Sequence, residues 1–371
     1  MLTINATKLL KPLQSVSGIV ERRHTLPILS NVLWEITSSH LKMTATDLEI
    51  QIQATVDLSD NKTVKPQSTE TTLPARKMLD ILRTLPDGID MKFTKSDGVI
   101  KILSGKTKFN LQTLPPSDFP MLSDKKDNDP LSIVMPQHEL KKKLLQVQYS
   151  MAAQDIRYYL NGLLIQVQHG NIEMVATDGH RLAYTDCAIN NDSPPNQFII
   201  PRKAITELIK LLDDTAGEIK IEKTENQASF DLGEIKLITK LVEGTFPDYQ
   251  RVIPKDYEKV FTIPRQQLLN ALQRAAILAN EKFRGVRWVL GDSLLRLACT
   301  NAEQEEAEEE MEIDYTYDAM DIGFNITYLL DVLNNTKVES INCALGDENS
   351  SMLITIPDDA AFKYVVMPMK I

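Results

Sequence analysis

TLPARKMLDIL (residues 72–82) reads as an apolar strand, a proline, and then a helix with a leucine stripe. The same phrase, often but not always with the proline, recurs as TINATKLLKPL (3–13), IVMPQHELKKKL (133–144), FIIPRKAITELI (198–209), FTIPRQQLLNAL (261–272) and FNITYLLDVL (324–333). The starts are roughly 60–70 residues apart, and one sixth of the 371-residue chain is about 62. A period this long exceeds the solenoid repeats, so each copy is expected to fold as a small α/β unit of its own.

Hydrophobic residues make up 43% of the chain and charged residues 25%, the balance of a globular protein able to bury a core. No run of about 18 apolar residues is present, so no membrane span is expected. The first residues, MLTINATK, lack the basic and apolar regions of a secretory signal. Cys187, Cys299 and Cys343 are odd in number and show no C-x-x-C spacing, which argues for reduced thiols in a cytoplasm.

The net charge of −10 taken alone disfavours nucleic-acid binding. Its distribution reverses that reading. Residues 1–125 carry +3, residues 126–253 carry −4 and residues 254–371 carry −9, so the ends are of opposite sign. The leucine-striped segments at 6–17, 75–85, 137–148, 202–212 and 265–276 each carry +2, and 326–337 carries none. The helices thus hold +10 and the rest of the chain −20. Lys and Arg are good helix formers, but so is Glu, which is scarce here. Basic helix faces and acidic strands and loops are therefore expected.

Two-residue alternation after the first helix marks strands at 31–37, 41–46 and 50–56, and after the third at 161–167, 172–177 and 181–189. After the fifth it marks 286–290, 294–300 and 310–316, and the even-numbered units carry strands at 100–103, 108–114, 235–241 and 362–367. Ala45-Thr46-Asp47 matches Ala176-Thr177-Asp178, with Cys299-Thr300-Asn301 in the corresponding place. Asp118-Phe119-Pro120 likewise answers Thr245-Phe246-Pro247-Asp248. The expected class is α+β: three similar domains (1–125, 126–253 and 254–371), each of two related strand–helix–strands halves. An array with oppositely charged ends can pair head to tail, closing into a ring or propagating as a filament.

Catalytic motifs are missing from the sequence. His138-Glu139 begins like a zinc helix, but position 142 is Lys, so H-E-x-x-H fails. There is no G-x-S-x-G, no G-x-G-x-x-G and no P-loop. Asp178-Gly179-His180-Arg181 is the most site-like tetrapeptide, yet it has no nucleophile or metal partner nearby in sequence. The acidic run from Glu303 to Glu310 reads either as a solvated face or as a contact to basic residues such as Arg76, Lys77, Lys101, Lys106 and Lys108. Val365-Val366-Met367-Pro368-Met369 reads either as a last core strand or as an apolar lip, with the proline ending strand pairing.

The segments TLPILSN (25–31), LPARK (73–77), QDIRYYLNG (154–162), ATDGHRLA (176–183), FPDYQRV (246–252), NEKFRGVR (280–287), NAEQEEAEE (301–309) and YVVMPMK (364–370) closely resemble the bacterial DNA polymerase III beta subunit, the replicative sliding clamp. The match runs through the whole chain in order. The resemblance implies the DNA clamp fold and a non-enzymatic processivity factor needing no cofactor. It implies a head-to-tail homodimer whose twelve repeated units close a ring, with the helices lining a hole around double-stranded DNA. A positive lining attracts phosphates without reading sequence.

By the same carry-over, DNA contacts fall on Arg23, Arg76, Gln154, Tyr158 and Tyr159. Some relatives have a glycine-rich lead-in where this chain has Glu21-Arg22-Arg23-His24, so Arg22 is the alternative to Arg23. Partner proteins are expected to insert short peptides into a pocket. One side of it would come from Leu160, Thr177, Gly179, His180, Arg181 and Leu182, the other from Pro247, Arg251, Val252, Val365, Val366, Met367, Pro368 and Met369. Such a mix of apolar surface and few polar anchors suits a peptide. The dimer contact would set Lys77, Ile81, Lys106, Phe109 and Leu111 against Ile277, Leu278, Glu303, Glu305, Glu306, Glu308 and Glu309. The implied partners are a clamp loader, the replicative polymerase alpha subunit and other proteins with clamp-binding motifs, with no membrane.

Overall fold

The computed structural model describes residues 2–21, 25–59, 68–122, 131–190, 194–215, 217–357 and 359–371. Six times over, it runs strand, helix and three strands. The first repeat holds β1 (Leu2–Asn5), α1 (Ala6–Ser17), β2 (Asn31–Ile36), β3 (His40–Thr46) and β4 (Ile50–Asp57). The second holds β5 (Thr69–Pro74), α2 (Ala75–Thr84), β6 (Asp90–Ser96), β7 (Val99–Ser104) and β8 (Thr107–Gln112). In the third are β9 (Leu131–Pro136), α3 (Gln137–Val147), β10 (Gly162–Gln168), β11 (Asn171–Thr177) and β12 (Arg181–Ala188). The fourth comprises β13 (Asn196–Pro201), α4 (Arg202–Leu211), β14 (Glu218–Lys223), β15 (Gln227–Asp231) and β16 (Ile235–Lys240). The fifth has β17 (Lys259–Pro264), α5 (Arg265–Ala275), β18 (Gly285–Gly291), β19 (Leu294–Thr300) and β20 (Glu306–Glu312). The sixth ends the chain with β21 (Met320–Asn325), α6 (Ile326–Asn335), β22 (Ser340–Leu345), β23 (Met352–Ile356) and β24 (Asp359–Val366).

Each strand-to-helix switch has a local cause. In four repeats the leading strand ends on a proline (74, 136, 201, 264), which has no N–H to extend a sheet ladder. In the other two, Asn5 and Asn325 cap the helix, their side chains accepting from Thr7 N at 3.0 Å and Thr327 N at 2.9 Å. In five of the helices the first N–H, an orphan of helix geometry, donates to the residue just before a strand. The pairs are Ala6 to Ile89 O, Gln137 to Gly217 O, Arg202 to Asn161 O, Arg265 to Glu339 O and Ile326 to Arg284 O, at 2.7–3.0 Å. The leucine stripe is the buried face: Leu9, Leu13 and Val16 in α1, Met78 and Leu82 in α2, Leu268 and Leu272 in α5, Leu329 and Leu333 in α6.

The leading strands explain why repeats come in pairs. β1 adds to β6-β7-β8 of the next repeat, while β5 adds back to β2-β3-β4. β9 adds to β14 and β13 to β10; β17 adds to β22 and β21 to β18. Each exchange binds two repeats into one domain, giving three domains.

Two compact units are distinguished. Residues 1–138 and 206–241 form one, built on an eight-stranded sheet, β5-β2-β3-β4-β16-β15-β14-β9, and the four-stranded sheet β1-β6-β7-β8. Within it α1 packs on β3, β4 and α2, and Trp34 meets Phe93 with ring centroids 5.2 Å apart. Residues 139–205 and 242–371 form the other, built on β13-β10-β11-β12-β24-β23-β22-β17 and β20-β19-β18-β21, with α5 packed on α6.

One strand differs from the sequence reading. The third strand of the fifth repeat lies at Glu306–Glu312 rather than 310–316, so the acidic run is itself an edge strand. Its outward residues 306, 308, 310 and 312 are all glutamate, and Glu309 at an inward position interrupts the alternation that one solvated face would otherwise display. The even-numbered repeats also have three strands each after the helix; β6, β14, β15, β22 and β23 were not among the expected strands.

Candidate partner cleft and DNA-facing surfaces

The recurring Ala-Thr-Asp is a hairpin device. At the β11–β12 turn, Thr177 Oγ1 donates to Arg181 O at 2.6 Å and accepts from Gly179 N at 3.1 Å. Asp178 Oδ1 accepts from His180 N at 2.9 Å and Arg181 N at 3.1 Å. Gly179 sits at φ +89°, a conformation glycine adopts without a steric cost. The β3–β4 turn repeats the arrangement: Thr46 Oγ1 donates to Ile50 O at 3.0 Å, and Asp47 Oδ1 accepts from Glu49 N and Ile50 N. Asn301 Oδ1 does the same for Glu303 N and Glu305 N. Asp178 thus holds a turn, a structural role for the acid of the most site-like tetrapeptide.

Arg181 completes the turn from beneath. Only 9% exposed, it reaches Asp178 Oδ2 at 3.2 Å, Asp331 Oδ2 at 2.6 Å and Tyr149 O at 2.8 Å, and it stacks 4.4 Å over the Tyr328 ring. Its guanidinium is committed within the protein, so its contribution at the cleft is positional.

The β12–β24 pairing brings the two halves of the expected pocket together. Leu182 stands opposite Val365 and Arg181 opposite Val366, and Met367 N donates to His180 O at 2.9 Å. Leu182 and Val365 share a buried cluster with Val175, Tyr184, Phe246 and Tyr249, against which Tyr159 and Ile253 pack. Leu160, Thr177, Leu182, Val365 and Val366 are all buried; Leu182 and Val365 belong to that cluster, while Val366, paired with Arg181, faces the other side of the sheet. Gly179, His180, Pro247, Arg251, Val252 and Met367 are exposed at the rim, with Pro368 and Met369 half-buried. Arg251 pairs with Asp248 at 2.8 Å. The final segment is therefore both things the sequence offered: Val365 and Val366 belong to a core strand, and Met367 begins the lip. Phe246 and Tyr249 are floor residues that the reading passed over, although they flank Pro247 in the quoted FPDYQRV.

The residues expected at DNA divide between exposed and buried. Arg76 lies on the exposed face of α2, its Nη2 3.5 Å from Val20 O. Gln154 and Tyr158 are exposed on one loop, Tyr158 by 74%, whereas Tyr159 packs on the cleft cluster. Arg157 braces that loop by bonding both oxygens of Asp155, at 3.0 and 2.9 Å, and its guanidinium holds the Asp155 carboxyl at about 2. Ile156, which the reading passed over, is the most exposed large apolar side chain on this loop. Arg22 and Arg23 lie outside the described residues.

The basic helix faces are narrower than the charge count implied. Lys8, Lys11, Arg76, Lys77, Arg83, Lys142 and Lys210 are exposed. Lys143 is buried, 3.2 Å from Thr185 Oγ1 and 3.9 Å from Asp359. Arg202 donates to Met151 O at 2.5 Å, Arg265 to Leu333 O at 2.8 Å, and Arg274 binds Glu309 through two 2.6 Å bonds.

The expected dimer residues fall on two edges. β8 is an edge strand, with Lys106 exposed in the turn before it, Phe109 half-buried and Leu111 buried; Lys77 is exposed on α2 and Ile81 is buried. β20 is the other edge, with Glu306 and Glu308 exposed on it and Glu303 and Glu305 exposed in the turn before it. Glu309 is half-buried and held by Arg274, which lowers its pKa through the hydrogen bonds it donates. Ile277 is 78% exposed and Leu278 half-buried in the turn after α5. Among the described residues no cluster of His, Cys, Asp or Glu is arranged to hold a metal ion, and no helix is long and apolar enough to cross a membrane.

Comparison with known proteins gives these surfaces a context. Residues 1–123, 134–248 and 250–370 match, in turn, the N-terminal, central and C-terminal domain models of the DNA polymerase III beta subunit. The beta sliding clamp of Pseudomonas aeruginosa is 42% identical over 372 residues, covering 100% of this chain and 99% of that protein. The Escherichia coli beta sliding clamp is 41% identical over 370 residues, with the same coverage. Among solved structures, the Pseudomonas aeruginosa DNA polymerase III subunit beta superposes with a TM-score of 0.95 at 42% identity, each chain fully covered. Caulobacter crescentus pol III beta gives a TM-score of 0.92 at 34% identity, again over both full chains. The fold is that of a DNA sliding clamp of replication, a processivity factor rather than a catalytic subunit. The chain belongs to the DNA polymerase III beta subunit family.

Proposed function

We propose that two copies of this chain pair head to tail into a closed ring around duplex DNA and tether the replicative polymerase alpha subunit and other partners through the cleft between β12 and β24. A clamp loader opens the ring, and the protein works in the cytoplasm. Each copy contributes domains spanning 1–125, 126–253 and 254–371. The observation that carries the reading is the complementarity of the two edge strands. β8 and the turn before it present Lys106 and Lys108, and β20 presents Glu306 and Glu308. Unpaired edges of opposite charge invite strand pairing between copies, and the charges fix its direction.

Arg76, Gln154 and Tyr158, with Arg22 or Arg23, contact the DNA, and Tyr159 supports the loop from below. Contacts to phosphates carry no sequence information, so the ring slides. A pocket floored by Leu182 and Val365 and rimmed by Met367, Pro247 and Val252 takes the apolar side chains of a partner peptide. A related Pseudomonas aeruginosa clamp has been solved bound to griselimycin, and the apolar cleft between β12 and β24 is where we would place a ligand of that kind in this chain.

The test is retention on DNA. Protein loaded on a nicked circle should survive a high-salt wash and leave once the circle is linearised. Loss in high salt from intact circles would mean ordinary electrostatic binding, which collapses with counterion concentration.

A further inference from the structure

Gly285 in β18 and Gly323 in β21 are bare for one reason. A Cβ on Gly323 would stand 2.5 Å from Met369 O and 2.6 Å from Ile371 Cδ1. On Gly285 it would stand 3.2 Å from Ile371 Cδ1. At both positions the three nearest atoms all belong to Met369 or Ile371. Neither glycine has a positive φ, so no turn or left-handed backbone calls for glycine there. Both lie in regular pairing, Gly285 opposite Asn325 and Gly323 opposite Arg287, where a side chain would ordinarily strengthen a strand.

The segment seated on these glycines is the one that forms the cleft rim. Met369 N donates to Gly323 O at 2.8 Å, a single bridge added along β21. Two residues earlier, Met367 N donates to His180 O at 2.9 Å. The rim is thus pinned on both sides of Pro368, which has no N–H of its own.

We propose that Gly285 and Gly323 form a seat for Ile371 and Met369 that positions Met367 and Pro368 for partner binding. The proposal rests on reading the β12–β24 cleft as the peptide site. The glycines and Ile371 are positioning residues: they act through the rim and touch no partner. Without the seat the rim samples several conformations, and binding then bears the cost of ordering it.

Three variants test this, with binding to the polymerase alpha subunit measured by surface plasmon resonance and exchange of the Met369 amide followed by mass spectrometry. Ile371→Ser empties the seat, Gly323→Ala fills it, and Met367→Ala removes a rim side chain directly. Ile371→Ser and Gly323→Ala should each raise Kd roughly tenfold and speed exchange at Met369, and Ile371→Leu should retain binding. If Gly323→Ala does not fold, Ile371→Ser still decides, since it alters an exposed side chain. Weakening by Met367→Ala alone overturns the seat and leaves the cleft reading intact. No effect of Met367→Ala overturns the cleft reading and the seat with it. Faster exchange at Met369 with unchanged Kd also overturns the proposal.

Discussion

Arg181 Nη1 and Asp331 Oδ2 meet at 2.6 Å across 150 residues of sequence, tying the strand that borders the cleft to α6. Asp331→Ala leaves the buried guanidinium with Asp178 and the Tyr149 carbonyl but one acceptor short. Removing one partner of a fully buried pair costs about 3–5 kcal/mol. Asp331 is a third exposed, so solvent softens the loss to about 2 kcal/mol. Thermal denaturation should show a lowered Tm, and an unchanged melt would remove the pair from the account of what fixes the β11–β12 turn.

Asp178 separates turn from catalyst. Asp178→Ala frees His180 N and Arg181 N, each bond being worth about 1 kcal/mol net, and should speed exchange at both amides. Asp178→Asn keeps Oδ1 as an acceptor and should preserve most of that protection. Equal damage from Asn and Ala would point to the charge on Arg181, and not the turn, as the reason for the aspartate.

The helices were legible because strand, cap and stripe are all local: a proline or asparagine sets the switch and 3.6-residue periodicity sets the buried face. All six observed helices begin at the residues the phrase marks. Pairing of repeats was visible only as echoes such as Ala-Thr-Asp, since the strand exchange that causes it joins β1 to residues some 90 positions away. Charge was the least legible. Lys142 and Lys143 are neighbours in sequence, but a buried acceptor on Thr185 and the carboxylate of Asp359 claim one of them. No pattern within the helix announces partners so distant. The two sides of the proposed cleft are far apart in sequence, so they could be named only as whole motifs, and Phe246 and Tyr249, whose packing with Leu182 and Val365 depends on that distant pairing, were passed over.

The loop at 153–158 makes a pH statement. The hydrogen bonds from Arg157 hold the Asp155 carboxyl at about 2, below its ordinary 3.8. A depressed folded value means the pair's stabilisation is complete above the ordinary value and is lost as pH falls through about 2. Near neutral pH the loop should therefore present Gln154 and Tyr158 unchanged. Carboxyl NMR should find an Asp155 midpoint well below 3.8, and a midpoint at the ordinary value would show the pair open in solution.

Ile277, largely exposed, and Leu278 beside it are the apolar part of the proposed subunit contact. Interface energy concentrates in a few desolvated apolar side chains, with charged rims contributing more to orientation. On the proposed pairing the unaltered protein should sediment as a dimer, and Ile277→Ala combined with Leu278→Ala should give monomers at the same concentrations by sedimentation equilibrium. An unchanged mass would move the interface elsewhere.

Lys142 and Lys143 discriminate between a basic lining and helix decoration. Lys142 is exposed on α3, so Lys142→Ala should weaken binding to any duplex equally and flatten the salt dependence by about one unit of slope. Lys143 is buried against Asp359 and Thr185. Lys143→Ala should leave the salt slope untouched and instead lower the melting temperature, because it leaves the half-buried Asp359 carboxylate with Gln146 alone and Thr185 Oγ1 one donor short. Fluorescence anisotropy on two unrelated duplexes across a salt series reads the first effect, and a thermal melt reads the second. If the two substitutions lowered the slope alike, Lys143 would have to be reaching DNA, and its burial could not be the state that binds.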